Sequence, residues 1–199
     1  MESRKLKIVS TTLLAAVLGC AAAAMMVLAF GLYNVAGNRQ HLPPVHAVLE
    51  YALKQSVRAN ARDIQVPTFA DAAMIERGAL CYQQSCLQCH GGPGVAASDF
   101  GQSMQPLPGP LIDATQRWHA RELYWITRNG LKMTGMPAWE HHLSENDLWS
   151  VVAFLHKLPQ LSPEQFISTL RTNTQSAKRC EPSENTSISA GDAERGRRA

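Results

Sequence analysis

Two thiols and an imidazole lie close together in the sequence CLQCH, where Cys86 and Cys89 are followed directly by His90. On a helical turn, thiols at this spacing can each add to one of the two vinyl groups on the same porphyrin edge, and the adjacent histidine then lies beneath the iron. A zinc site would need a second pair of ligands at similar spacing, and a thioredoxin-like redox pair would need strands that alternate with helices. The sequence shows neither pattern. It therefore predicts one covalently attached haem c, with His90 as an iron ligand.

A second group of candidate iron ligands lies in residues 131–139, which read LKMTGMPAW. Met133 and Met136 both carry a thioether sulfur that can bind iron. Pro137 biases the residue before it towards an extended conformation, and Gly135 lets the chain approach a porphyrin closely. We therefore expect Met136 to be the sixth ligand and Met133 to be the alternative.

Helical patterns on both sides of these motifs position them. The main domain is predicted to span residues 71–158 and to contain three helices: 71–84, 120–129, and a third that Ser144 caps and Pro159 ends. The first two helices are separated by about 30 residues rich in Gly and Pro, and a structureless loop of that length is unusual in so small a domain. Such a loop becomes reasonable if it wraps a large apolar cofactor.

The N-terminal region contains an uncharged apolar run over residues 8–33. A helix of about 26 residues is roughly 39 Å long, more than the ~30 Å hydrocarbon layer of a bilayer. Basic residues at positions 4, 5 and 7 precede the run and favour a cytoplasmic N-terminus. A signal peptide cleaved near Ala24 is the alternative. We expect a retained anchor, because the apolar residues continue as far as Leu32.

These patterns divide the chain into four regions. They are a cytoplasmic tip and transmembrane anchor (1–33), a periplasmic stalk with a short helix over about 45–61 (34–70), the haem domain (71–158), and a short helix followed by a disordered polar tail from position 172 (159–199).

The segment from Cys86 to Gly91, followed by residues 131–139, resembles the class I cytochrome c family, in particular its bacterial membrane-anchored members with one haem. The resemblance covers roughly residues 71–158. It implies an all-α class I cytochrome c fold, with three main helices and long loops around one haem. It also implies a proximal ligand matched by His90 and a distal methionine that precedes a proline, matched by Met136.

The same resemblance implies that Gly78 and Tyr82 of the first helix cross the third helix near Phe154, where glycine permits close contact. Cys81 departs from the family pattern, which usually has an apolar residue there. We expect Cys81 to be a buried small hydrophobic residue and not the disulfide partner of Cys180.

Other residues are weaker candidates for a role at the haem. The resemblance implies that a proline carbonyl faces the far ring nitrogen of the proximal histidine. Pro108 and Pro110 lie at that place, and we expect Pro110 to supply the carbonyl. Candidates for packing on haem or bonding its propionates are Trp118, Tyr124, Trp125, Arg128 and Trp139, for which a place in the protein core is an equal alternative. Four histidines are expected to be solvated surface residues although each could bind a metal: His119, His141, His142 and His156.

The charge distribution excludes one class of partner. The formal net charge is +3, and residues 71–158 hold six basic side chains against eight acidic ones. Nucleic-acid binding would favour a basic stripe, which the main domain lacks.

Two strong axial ligands leave iron no open position, so the expected function is one-electron transfer and not catalysis. The expected partners are a quinol-oxidising complex, a periplasmic dehydrogenase or a terminal oxidase. The expected location is the inner membrane, with the haem domain in the periplasm. The alternatives are a haem protein that binds a gas or peroxide at an open iron position, and a fixed relay subunit of an oxidase.

Overall fold

The computed structural model describes residues 2–69, 71–175 and 179–180. Within these ranges the chain is mainly helical, and its only β-pairing is an isolated bridge between Gly92 and Val95. The chain divides into two compact units, Met1–Arg39 and Gln40–Ala199, which are described separately below.

The first unit contains helix α1, Glu2–Ala29. Its segment Ser3–Ala29 is long and apolar enough, by length and composition, to cross a membrane. The helix ends earlier than the apolar run because Gly31 adopts a φ of 61°, a conformation that glycine tolerates and that commonly ends helices.

The second unit contains the remaining helices. In chain order these are α2 Pro43–Ala61, α3 Ala72–Ser85, α4 Leu87–His90, α5 Asp99–Gln102, α6 Ala114–Arg117, α7 Ala120–Asn129, α8 Glu145–Lys157 and α9 Pro163–Gln175, with 3₁₀ turns at Trp139–His141 and Leu158–Gln160. The helices α3, α7 and α8 correspond to the three predicted helices, and α7 has the predicted bounds. The short helices α5 and α6 lie in the long loop and were not predicted.

The centre of this unit is the crossing of α3 and α8. A Cβ atom added to Gly78 would lie within 1.9 Å of the Ser150 carbonyl oxygen and 2.9 Å from the Phe154 Cβ. Only glycine at position 78 allows the two backbones to approach this closely. The rings of Tyr82 and Phe154 pack beside this contact with their centroids 5.3 Å apart. The predicted crossing at these residues is confirmed.

An ion pair fixes the same crossing at its edge. Arg77 Nε lies 2.6 Å from Asp147 Oδ1, and Arg77 Nη2 lies 3.0 Å from Asp147 Oδ2. The Asp147 side chain is only 5% exposed, so its charge needs a partner. This two-point contact joins α3 to the first turn of α8 in a defined register.

The C-terminal helix α9 packs on the other side of this core. Its Phe166 is fully buried, with its ring centroid 6.3 Å from that of Tyr82 and 6.5 Å from that of Phe154. Beyond α9, Cys180 forms a disulfide with Cys81. The prediction that Cys81 is an unpaired buried residue is therefore wrong. Cys81 is fully buried as expected, but the chain after α9 returns to α3 and brings Cys180 to it, which helical periodicity does not reveal.

The predicted stalk helix, α2, packs against α7. Val57 and Ala61 on its inner face are fully buried, and Arg121 Nη1 of α7 donates a hydrogen bond to the Arg62 carbonyl at 3.3 Å. Its last turns therefore contribute to the core of the second unit.

The tail predicted to be disordered begins at position 172, but α9 continues to Gln175. The remainder of that prediction, residues 176–178 and 181–199, lies outside the described residues.

Candidate functional site

The motif CLQCH forms a single helical turn. The Cys86 N–H donates to the Tyr82 carbonyl at 2.8 Å, so the turn continues from α3, and the His90 N–H donates to the Cys86 carbonyl at 3.0 Å. Gly91 ends the turn with a φ of 62°, and a Cβ there would lie 2.5 Å from the Val95 carbonyl oxygen. The turn therefore presents two sulfur atoms and one imidazole within a single helical repeat.

Tyr82 fastens the end of this turn, a role that sequence reasoning missed. Its buried hydroxyl donates to the Gly91 carbonyl oxygen at 2.7 Å. Burial raises the pKa of Tyr82, so the hydroxyl keeps its proton and remains a donor. The spacing between Tyr82 and Gly91 does not indicate this bond in the sequence. The bond depends on the burial of Tyr82 at the α3–α8 crossing.

Both motif thiols are unpaired within the part of the chain that the structure describes. Cys86 is buried and Cys89 is half-buried. Burial, assisted by the neighbouring Cys89, raises the pKa of the Cys86 thiol to about 12. The Cys86 sulfur therefore carries a proton at neutral pH.

His90 is oriented by a backbone hydrogen bond. Its Nδ1 lies 2.8 Å from the Gly109 carbonyl oxygen. A carbonyl can only accept, so Nδ1 carries the proton and Nε2 is left with a free lone pair for a metal ion. Burial lowers the pKa of His90 and the nearby Arg117 lowers it further, against the opposing effect of the Gly109 bond. The imidazole is therefore in the neutral form that metal ligation requires.

The predicted bond from His90 to the Pro110 carbonyl is wrong by one residue. The Pro110 carbonyl accepts instead from Arg117 Nη2 at 3.0 Å, and Arg117 also pairs with Asp113 at 2.9 Å. Successive carbonyls in an extended loop point in different directions. The choice between positions 109 and 110 therefore depends on the orientation of one peptide plane, which residue types do not specify.

The segment that carries the two candidate methionines, residues 131–136, is a tight turn that we call the methionine loop. The Thr134 hydroxyl donates to the Leu131 carbonyl at 2.8 Å and accepts from the Met136 N–H at 3.1 Å. Met133 has a φ of 59°, unusual for a residue with a side chain, and its side chain is exposed, whereas Met136 is half-buried. Of the two thioethers, the one at position 136 thus has the more enclosed position.

The weaker candidates have different surroundings. Tyr124 stacks on Trp149 with centroids 4.0 Å apart, and the Arg128 guanidinium lies 3.0 Å from Glu140. Trp139 lies edge-on to His142, with centroids 5.7 Å apart. Trp118 and Trp125 are both half-buried, and Trp118 also packs against the core.

One of the four histidines is not a solvated surface residue. His119, His141 and His142 are exposed, as expected. His156 instead lies against the Phe69 ring at a centroid distance of 5.2 Å, and its buried Nε2 has no hydrogen-bond partner among the described residues. Its position in the last turn of α8 places it on the face that the segment before α3 covers.

A second group of possible metal ligands has a structural explanation. Ligand atoms of Cys81, Asp147 and Cys180 lie within 4.8 Å of one another. The two sulfur atoms are joined in a disulfide, and the carboxylate binds Arg77. These contacts fasten α3, α8 and the C-terminal segment together.

Part of the chain matches a known family model. A family model described as "Cytochrome C oxidase, cbb3-type, subunit III" matches residues 73–155. The matched range contains the CLQCH turn and the methionine loop, and it covers α3, α7 and most of α8. No curated protein and no solved structure gives a significant match to the chain.

Proposed function

We propose that this chain, whose residues 73–155 form a cytochrome c domain, carries single electrons through one haem c attached covalently to Cys86 and Cys89. The observation that carries the proposal is the α4 turn, with two unpaired thiols and an imidazole whose Nδ1 is already bonded. When bound, haem supplies an iron that gains and loses one electron.

The residues present fit this cofactor. Cys86 and Cys89 would hold it through two thioether bonds, and His90 would ligate the iron through Nε2. The loops around the motif expose large apolar side chains that a porphyrin face would cover: Phe100, Leu107, Ile112 and Met133. Trp139, which lies beside the methionine loop, would also pack against the porphyrin.

We assign the sixth ligand to Met136 because its backbone is fixed by Thr134 and its side chain is half-buried. A thioether is a soft ligand that favours the reduced iron and raises the potential towards that of oxidase acceptors. With His90 and Met136 holding the iron, no position on it would be left for substrate, so the protein would act as a carrier and not as an enzyme.

The ligand assignment is tested by two matched variants. Met136→Ala should abolish the weak far-red absorption of an iron–thioether bond and open the reduced iron to carbon monoxide. Met133→Ala should leave both properties unchanged. The reverse result would transfer the ligand to Met133. Rapid carbon monoxide binding to the unaltered protein at neutral pH would favour a ligand-binding or peroxidase-type haem protein instead.

The proposal places the domain at a membrane. Helix α1 is long and apolar enough to cross one, and Arg4, Lys5 and Lys7 favour an N-terminus in the cytoplasm. The haem domain would then lie in the periplasm at the inner membrane, where its exchange partners are membrane-bound redox complexes. Mass spectrometry of the mature N-terminus tests the anchor, since cleavage near Ala24 would release a soluble protein.

A second candidate function is a fixed relay subunit of an oxidase complex. The matched family model carries the name of an oxidase subunit, and this observation supports the second candidate. Extraction in a mild detergent separates the two. A relay subunit would purify with stoichiometric oxidase subunits, whereas a diffusing carrier would purify alone.

A further inference from the structure

We propose that Met104 is a positioning residue for the methionine loop, holding Gly135 so that the Met136 sulfur stays on the iron. The inference rests on the proposed function, because it concerns the loop that would supply the sixth ligand. Met104 belongs to no motif in the sequence.

The first observation is the contact between Met104 and the loop. A Cβ added to Gly135 would lie 2.6 Å from the Met104 Sδ, 3.1 Å from its Cε and 3.4 Å from its Cγ. Three atoms of this side chain thus lie against the backbone immediately before Met136. A flexible thioether suits this position, because it adapts its shape to an irregular backbone surface.

The second observation is the anchorage of Met104 at its other end. Its N–H donates to the Gly101 carbonyl at 3.3 Å. Gly101 is buried against the CLQCH turn, residues 86–90, which we call the attachment turn. An added Cβ there would lie 2.8 Å from the Cys89 Cα and 2.8 Å from the Gln88 carbonyl oxygen. Ser98 binds that same Gln88 carbonyl through its N–H at 2.9 Å and its hydroxyl at 2.8 Å.

These contacts form one continuous path from the attachment turn to the methionine loop. Residues 98–104 are fastened to Gln88 and Cys89 at one end and press on Gly135 at the other through Met104. The methionine loop is bonded within itself by the Thr134 turn and by the Leu131 N–H, which donates to the Met136 carbonyl at 3.3 Å. These bonds hold the backbone of the loop and do not involve the Met136 side chain. The position of its thioether therefore depends on what packs against it, and a weak iron–thioether bond is sensitive to that position.

The test compares Met104→Ala with the volume-conserving Met104→Leu and with Gln116→Ala, an exposed control on α6 that lies outside residues 98–104. In the purified holoprotein, Met104→Ala should shift the equilibrium between attached and detached thioether by about tenfold towards detachment, as expected for residues in direct contact. In Met104→Ala, the far-red absorption of the iron–thioether bond would disappear at a lower pH than in the unaltered protein. Carbon monoxide would also bind faster to the reduced iron. Met104→Leu should change both the band and the carbon monoxide rate less, and Gln116→Ala should change neither.

A coupled variant separates positioning from general loss of packing. Gly135→Ala alone should weaken the band, because the new Cβ collides with Met104. Adding Met104→Ala should restore part of the band by opening space. A double variant worse than either single variant would contradict the positioning role.

Two further results would overturn the inference. One is an unchanged band and carbon monoxide rate in Met104→Ala. The other is a band that survives Met136→Ala and is lost only when Met104 is also replaced, which would make Met104 itself the ligand. Failure of the underlying proposal is distinguishable from both, because haem would then be missing from the unaltered protein.

Discussion

The α3–α8 crossing and the loops that follow the CLQCH turn differ in what fills the space between their side chains. At the crossing, Tyr82 and Phe154 are buried against protein atoms alone. In the loops, Leu107 is 60% exposed and Met133 is 63% exposed, although both are large and apolar. The first region is completed by the polypeptide. In the second, the described residues leave large apolar side chains exposed, and the haem that we propose would cover them.

The largest expected effect concerns the disulfide that fastens the crossing region. Replacing both Cys81 and Cys180 with Ser removes a cross-link between residues separated by 99 positions. For a loop of this length, the free energy of unfolding should fall by about 4 kcal/mol. Urea unfolding of the holoprotein measures it.

The Cys180→Ser single variant provides a second readout, because it leaves the Cys81 thiol free, and in the unfolded chain this thiol lies only five positions before Cys86. In an oxidising compartment this free thiol can be oxidised together with Cys86 to a disulfide by a thiol oxidase, which takes up the two electrons. The single variant should therefore carry less haem than the double variant. Equal haem content in the two variants would show that Cys81 does not compete.

The next effect tests the close approach of the two helices. Gly78→Ala should lower the free energy of unfolding by about 3 kcal/mol, because its Cβ would collide with the Ser150 carbonyl and the helices must separate. Gly37→Ala is the control, since no atom lies within 4 Å of a Cβ added there. If Gly78→Ala lowers the free energy of unfolding no more than Gly37→Ala does, the crossing tolerates a side chain at position 78.

A smaller effect would sharpen the contrast between the two regions. Leu107→Ala should destabilise the holoprotein by about 1 kcal/mol if a porphyrin covers this side chain. Val48→Ala, at an α2 residue that is 68% exposed, should leave stability nearly unchanged. Chemical unfolding of both variants decides the point, and equal stabilities would place Leu107 in solvent.

The smallest expected effect is a pH dependence from His156. Burial lowers the pKa of His156 below its ordinary value of 6.5, so the unfolded chain binds a proton more readily than the folded one. Stability from this residue is complete above about pH 6.5 and is lost as the pH falls through the folded-state pKa. His156→Phe should flatten the dependence of the urea midpoint on pH in this range. A urea midpoint of the unaltered protein that rises as the pH falls would contradict this prediction.

The sequence predicted the elements whose signals are local. The bounds of α7, the Ser144 cap of α8 and the turn that carries the CLQCH motif all follow from short-range patterns. The mainly helical fold is confirmed over the described residues, which include an apolar N-terminal helix long enough to cross a membrane, and residues 73–155 match a cytochrome c family model.

The remaining features depend on contacts between distant segments. The disulfide to Cys180 needs the chain to return after α9, and the His90 bond goes to Gly109 through the orientation of one peptide plane. The position of Met104 on Gly135 joins two loops that share no periodicity. None of these contacts leaves a pattern in the order of residue types.

The central claim is that haem is bound covalently through Cys86 and Cys89. Acid-acetone extraction of the purified protein, followed by intact mass measurement of the polypeptide, tests this directly. The account predicts that the polypeptide keeps the mass of one haem and that a Cys86→Ser, Cys89→Ser variant loses it. A polypeptide of unmodified mass, with all haem in the acetone phase, would contradict the account.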